Sequence, residues 1–348
     1  MVGVLSTEAL AVLIAWGGNE SARVHRLARW RVGLFAIGRG AQQPGPTRRV
    51  GLLTNLSEND PATQRSVRVF REEMGALGWA DGRNLKVDYR WSGGDVGRVR
   101  AFAKELVGLS PDIIVAYFTP SVLALQQETR SIPIVFLSVT DPLGQGIVGS
   151  LAHPGGNITG FADFEFSLGS KWMEALKQIS PGLRRVITIF NPKTAPYYPL
   201  YLSTINWAAS TFGIEVIVVE VHDAAEIERA ISSMAAEPDG GLIAMPDSFN
   251  TVHRRSIIAL ADQYHLPAVY YWPFFAADGG LISYGPDEID MVRQTAGYVD
   301  RILRGAKAGE LPVQQPTKFR LVINLKTAEA LGLTVPQSLL ARADEIIE

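Results

Sequence analysis

Cysteine is absent from the 348 residues, so no disulfide framework, thiolate nucleophile or cysteine-based metal site can be built. The five histidines, His25, His153, His222, His253 and His265, show no metal-binding spacing such as H-E-x-x-H. Neither a G-x-S-x-G nucleophile elbow nor a Walker A loop occurs. Nothing in the chain assembles a nucleophile, a base and an orienting acid, so an enzyme is disfavoured and no metal or cofactor is expected. Excess positive charge is missing as well. The formal net charge is −2, which argues against nucleic acid as a partner, because such a partner calls for a basic face or stripe. No internal repeat and no low-complexity segment interrupts the chain.

What is present is ordinary globular material, 47% hydrophobic and 20% charged. The length suits two domains with separate cores. Residues 1–46 stand apart. "ALAVLIAW" (9–16) is apolar but too short to span a bilayer. "RLARWRVGLFAIGRGAQQP" then runs from a basic cluster through a short apolar stretch to small residues, in the order of a secretory signal with cleavage near Ala41-Gln42. Arg39 interrupts the apolar part, and a long stretch precedes the basic cluster, so the signal is atypical. The segment is read as an export signal, with an unstructured tail as the alternative, and the mature protein is expected in the periplasm.

From Arg49 two periodicities alternate. Strands are expected at 49–56, 84–91, 112–118 and 132–139, with helices at 62–77 and 96–109 between them. "DIIVAYF" and "IPIVFLSV" are continuous apolar runs, as in a parallel sheet covered on both faces. The Gly/Pro-rich stretch 140–161 reads as loop. Alternation then resumes, with strands at 184–191, 214–221, 241–247, 267–272 and 280–286 and helices near 167–179, 198–211, 224–236, 252–264 and 287–304. "FRLVINL" (319–325) and two short helical pieces follow. The pattern predicts an α/β protein of two doubly wound, mostly parallel sheets with right-handed crossovers.

Ligands of such sheets bind beyond the carboxyl ends of the strands. The residues placed there are Thr54 and Asn55, Thr119-Pro120-Ser121, Ser138 to Asp141, Asn191, Asp247-Ser248, Tyr270 and Tyr271, with Tyr284 on the last strand. In "AYFTPSVLALQQE" Thr119 suits a helix N-cap and Pro120 its first turn, and the unpaired N–H groups there attract a carboxylate. Plain capping explains any one junction; several facing one cleft favour a small-molecule site. Two roles stay open for Asp247: partner of a ligand ammonium group, or N-cap of the following helix. "GQGIVG" (144–149) with Asp163 beyond it matches the dinucleotide fingerprint. It follows the fourth strand rather than the first, however, and "HPGG" cuts off any helix, so no dinucleotide is expected.

"VTDPLGQGIVGSLAHPGGNITGF", "LPAVYYW", "DGGLISYGPD" and the long block from "YVDRILRGAKAGELP" to "LLARADEIIE" resemble the ABC-transporter substrate-binding protein family related to the tryptophan- and tyrosine-binding TrpX proteins, over about residues 42–348. The resemblance implies a type I periplasmic-binding-protein fold with hinge crossovers between two lobes. Lobe 1 is expected to hold residues 47–161 plus about 281–314, and lobe 2 residues 162–280 plus about 315–348. It also implies an extracytoplasmic receptor, closing on a small-molecule ligand and delivering it to the membrane subunits of an ABC permease, with no nucleic acid involved. Position by position it implies Asn55, Thr119, Ser121, Thr140 and Asp141 on the first-lobe rim, and Asn191, Asp247, Tyr271 and Tyr284 on the second lobe or hinge. An aromatic amino acid is the favoured ligand. Helix N-termini hold its carboxylate, Asp247 its ammonium group, and Tyr271 and Tyr284 its side chain. The alternatives are the ligand-sensing core of a regulator, although residues 1–46 show no helix-turn-helix pattern, and an orphan receptor without a permease.

Overall fold

The computed structural model describes residues 47–163, 165–234 and 239–348; the expected export signal at 1–46 lies outside them. The chain first builds β1 (Arg48–Thr54), α1 (Pro61–Ala76), β2 (Leu85–Trp91), α2 (Val96–Gly108), β3 (Ile113–Tyr117), α3 (Phe118–Glu128), β4 (Ile134–Val139) and β5 (Ile158–Ala162). These strands form a five-stranded sheet in the order β2-β1-β3-β4-β5, parallel at every pairing. β3 and β4 are buried along their whole length, which is why their sequences are unbroken apolar runs rather than alternating ones. Helix starts follow local chemistry. Asp60 caps α1 by accepting from Thr63 N at 3.0 Å, with Pro61 at the first helical position. Asp95 caps α2 through Arg98 N, also at 3.0 Å.

The second lobe runs through α4 (Leu168–Ile179), β6 (Arg185–Phe190), α5 (Tyr198–Phe212), β7 (Glu215–Glu220), α6 (Ala224–Ser232), β8 (Gly240–Ala244), α7 (Ser248–Val252), α8 (Arg254–Gln263), β9 (Ala268–Tyr270), α9 (Pro273–Ala277) and β10 (Ile282–Pro286). The chain then returns to the first lobe with α10 (Glu288–Leu303), which packs on α1, β3, β4 and β5. It finally rejoins the second with β11 (Phe319–Asn324), α11 (Leu325–Ala330), α12 (Gln337–Leu340) and β12 (Glu345–Ile347). The order is β12-β11-β10-β9-β8-β6-β7, with β10–β11 the antiparallel pair. The chain thus passes between the sheets three times, after β5, after β10 and before β11. On the last passage Gln314 runs beside β5, with Ala162 N donating to Gln314 O at 2.9 Å and Gln314 N to Gly160 O at 2.9 Å.

The expected class, two mostly parallel α/β sheets, is the one formed. Three local features differ from the sequence reading. β5 lies in the stretch read as loop, β10 belongs to the second sheet, so the return to the first lobe begins at Asp287 and not near 281, and α3 begins at Phe118 rather than behind a Thr119 cap. Phe118 takes a left-handed φ of 64°, so the chain turns from strand into helix at that residue and leaves no room for a capping side chain.

Candidate functional site

The carboxyl ends of the strands in the two lobes converge on one cleft. From the first lobe it receives Asn55 after β1, Phe118, Thr119 and Pro120 after β3, Ser138 in β4, and Asp163 after β5. From the second it receives Asn191 and Thr194 after β6, Pro246, Asp247 and Ser248 after β8, and Trp272 after β9. The cleft has an inner chamber of about 10 Å³ and an outer cavity of about 230 Å³, which share Pro120, Thr194 and Ser248. The inner chamber holds about one water as it stands. The outer cavity is walled by Val96 and Val99 of α2 and by Phe249 and Val252 of α7, with Lys193, His222 and His253 adding polar groups. The lobes approach closely at its mouth: a Cβ on Gly94, where φ is +90°, would meet Val252 Cγ1 at 3.0 Å.

Strain and unmet hydrogen bonding gather here. Among the described residues five non-glycine positions have positive φ, and three of them, Phe118 (64°), Ser138 (58°) and Asp141 (48°), stand at the ends of β3 and β4. Each such conformation costs on the order of 1–3 kcal/mol and persists where surrounding structure imposes it, commonly at ligand sites. Asn55 and Ser248 line the outer cavity from opposite lobes, and their Oδ1 and Oγ atoms are buried without a hydrogen-bond partner. So is Ser121 Oγ, one helical step behind the wall. A buried polar atom left unpaired costs roughly 1–3 kcal/mol.

Electrostatics divide the cleft. The inner chamber has two fully buried carboxylates on its wall and, among the described residues, no basic one. Asp247 is the N-cap of α7: its Oδ1 accepts from Phe249 N at 2.9 Å and from Thr194 Oγ1 at 2.5 Å, and its Oδ2 accepts from Asn191 N at 2.7 Å. Asp163 Oδ1 accepts from Thr140 Oγ1 at 2.6 Å. Burial pushes each carboxyl up to about 6, against the pull of those donors. The nearby phenols of Tyr197, Tyr201 and Tyr271 are driven well above their ordinary range, by burial first and then by the carboxylates beside them.

Of the residues expected at the site, Asn55, Thr119, Asn191 and Asp247 lie on the cavity walls. Thr140 stands one hydrogen bond behind, holding Asp163. Asp141 turns away to accept from Gly144 N at 2.9 Å. Tyr271 is buried; its hydroxyl donates to the Asp163 backbone oxygen and its ring packs edge-on against Trp172 and Trp272. Tyr284 sits within β10 opposite Leu321, under the Lys171 ammonium at 5.5 Å from the ring centre. Neither tyrosine lines either cavity. Phe118, Tyr197, Phe249 and Trp272 supply the aromatic walls instead. Thr194 and Lys193 lie just past a recognised strand end. Asp163 ends a strand read as loop, so its position at a rim was not visible. "GQGIVG" forms a run of turns with no helix after it.

Comparison with known proteins agrees with this geometry. The sequence model of the family described as ABC transporter substrate binding protein matches residues 52–347. A tyrosine-binding protein of Clostridioides difficile is 26% identical over 282 residues, covering 81% of this chain and 80% of that one. A solved structure of a conserved domain protein from Vibrio cholerae is 31% identical with a TM-score of 0.79, covering 86% of this chain and 99% of that one. The ABC domain in complex with L-Trp from Streptococcus pneumonia shares the fold at 24% identity and a TM-score of 0.79, covering 86% of this chain and 100% of that one. The type I periplasmic-binding-protein architecture that the resemblance implies is the one the strands and these neighbours share. The chain belongs to the ABC transporter substrate-binding protein family.

Proposed function

We propose that the chain is the extracytoplasmic receptor of an ABC importer and that it closes its lobes around an aromatic amino acid. The observation that carries this reading is the pair of unpartnered buried polar atoms, Asn55 Oδ1 and Ser248 Oγ, on two residues that line one cavity from opposite lobes. A ligand that bonds to both ends the cost of leaving them bare and favours the arrangement in which the lobes meet. The uncapped start of α3 offers backbone N–H groups to a carboxylate. Val96, Val99, Phe249 and Val252 offer an apolar wall of the size an aromatic side chain fills. The tyrosine-binding and L-Trp-complexed relatives support the choice of amino acid. Family membership supports export, read through residues 1–46, and delivery to a permease.

The test is a thermal-shift screen of the full chain against the twenty amino acids. Tyrosine, tryptophan or phenylalanine is expected to raise the melting temperature, with a stabilisation of about 2.7 kcal/mol when the ligand is present at a hundred times its Kd. A flat response to all twenty overturns the reading.

A further inference from the structure

Asp247 was the acid expected from sequence to meet a ligand ammonium group, but its oxygens already take three donors from its own lobe, Thr194 Oγ1, Phe249 N and Asn191 N. A carboxylate has about four lone-pair sites. That leaves about one site for an incoming ammonium, which would have to share the acid with those three donors and with the cap of α7.

Asp163 presents the opposite situation. It ends β5 at the point where the chain leaves the first lobe, is 3% exposed, and lies on the wall of the inner chamber. Its main chain is fixed at both ends, with the N–H donating to Val139 O at 3.2 Å and the carbonyl accepting from Tyr271. Among the described residues the only side chain that donates to its carboxylate is Thr140, on Oδ1. Among the described residues no basic one lines the chamber. A buried carboxylate held by one side-chain donor and its own backbone N–H, with no counter-ion on the chamber wall among the described residues, is costly, and the chamber it faces lies directly beside the uncapped start of α3. An α-amino acid carries its ammonium and carboxylate on one carbon, so a site that binds both needs an acid and a set of free N–H groups within a few ångström of each other. Phe118 and Thr119 share the chamber wall with Asp163.

We infer that Asp163, not Asp247, is the residue that takes the ligand's ammonium group, and that it makes the site selective for amino acids over the corresponding des-amino acids. This rests on the amino-acid receptor reading above. Thr140 is a positioning residue: it occupies Oδ1 and leaves Oδ2 for the ligand.

The experiment measures calorimetric affinities of the full chain and its Asp163→Asn, Asp247→Asn and Thr140→Val variants for L-tyrosine and for 3-(4-hydroxyphenyl)propionate, with circular dichroism melts as the check on folding. Wild type is expected to prefer tyrosine by on the order of 10- to 100-fold, the range a charge-assisted hydrogen bond produces. Asp163→Asn is expected to lose that preference while binding the des-amino acid about as wild type does. Thr140→Val should lower the preference a few-fold without abolishing it. Asp247→Asn should melt at lower temperature yet keep the preference. If Asp163→Asn keeps the wild-type preference and Asp247→Asn loses it, the ammonium sits on Asp247 and the assignment is overturned with the receptor reading intact. If Asp163→Asn does not fold, an undiminished preference in Thr140→Val overturns the assignment and a reduced one supports it. Wild type that binds neither tyrosine nor tryptophan overturns the receptor reading and the assignment together.

Discussion

Arg254 of α8 reaches across the interface between the lobes to Asp60, the capping residue of α1: its Nη2 bonds Asp60 Oδ2 while its Nε bonds Asp278 Oδ2 at 2.7 Å. The Arg254 side chain is 4% exposed and that of Asp60 11%, and the guanidinium lies 5.1 Å from the Phe274 ring centre. This ion pair joins the lobes through buried side chains on the flank formed by α1 and α9. Under the hinge closure proposed above, the pair forms only when the lobes are together, so its energy would belong to that state and add to whatever a ligand contributes. Removing the Asp60 charge leaves Arg254 with Asp278 as its remaining carboxylate among the described residues, so the cost falls below the roughly 3–5 kcal/mol of a buried charge left with no partner.

Asp60→Asn is the cleaner probe, because asparagine caps a helix nearly as well as aspartate. The variant is expected to retain α1 but to release ligand faster, with the association rate little changed, as stopped-flow tyrosine fluorescence would read. Burial alone would raise the Asp60 carboxyl, but the Thr63 N–H and Arg254 outweigh it and hold the group below its ordinary range. A lowered acid pKa stabilises above the unfolded value and loses that contribution as pH falls through the folded one. The pair is therefore expected to persist until below about pH 4. Equal dissociation rates in wild type and Asp60→Asn would show that the pair does not hold the lobes together.

The two tyrosines expected to cover a ligand make different predictions. Tyr271→Phe removes the hydroxyl that ties the end of β9 to the backbone of Asp163. It is expected to cost about 1–3 kcal/mol, because the Asp163 carbonyl is left buried and unpaired, and to lower ligand affinity through Asp163. Tyr284→Phe touches neither cavity and should leave affinity unchanged. A titration in which Tyr284→Phe loses affinity and Tyr271→Phe does not would place the Tyr284 hydroxyl, not that of Tyr271, in contact with the ligand.

The strands most legible in the sequence are the apolar runs of β3, β4, β6 and β8, because a parallel strand covered on both faces needs no polar alternation. β5 was not legible. "ITGFA" carries Gly160 in its middle, and glycine in a short strand looks like a break. The structure supplies the reason for it: at φ +155° a Cβ on Gly160 would lie 2.1 Å from the Phe136 carbonyl oxygen, in the neighbouring strand. The glycine allows β5 to approach β4, and that approach places Asp163 at the rim. The site was legible to the same degree as its strands. Asn55, Thr119, Asn191 and Asp247 follow recognised strands and reach the cavity. Asp163 follows the unrecognised one, and Tyr271 and Tyr284 are expected from strand-end position and from the resemblance, neither of which reveals which way a ring points.

Gly160→Ala tests this account. The obstructing atom is backbone, so no side-chain rotation relieves it, and the variant is expected to be lost to aggregation or to melt far below wild type. Gly144→Ala meets an atom closer still, Asp141 Oδ2 at 2.0 Å. That atom is the end of a side chain that can swing aside, so Gly144→Ala should cost much less. Comparable melting temperatures for the two would refute the close approach of β4 and β5 as the reason for Gly160.

Acid should move stability and binding in opposite directions. Asp163 and Asp247 are each pushed up to about 6 by burial, and Glu288, at the start of α10 with Ser66 Oγ donating at 2.6 Å, is pushed up to about 7. A carboxyl whose folded value lies above its unfolded value binds protons more tightly when folded, so folding is favoured as pH falls from about 7 toward the ordinary carboxylate range and is penalised above it. The groups facing Asp163 are the phenols of Tyr197, Tyr201 and Tyr271 and, across the chamber, Asp247; those facing Glu288 are Arg65, Asp60, Asp287 and Tyr117. The tyrosines, raised by burial, stay neutral throughout this window and Asp60, held below its ordinary range, stays ionised, so neither reverses the sign. The ligand-free protein is therefore expected to melt higher at pH 5 than at pH 7.5. An ammonium ligand requires Asp163 ionised, so its affinity should fall below pH 6, approaching tenfold per unit, while the des-amino acid shows no such loss. Melts and calorimetry across pH 4.5–8 read both trends, and a tyrosine affinity that stays level down to pH 4.5 would exclude a buried carboxylate as the ammonium partner.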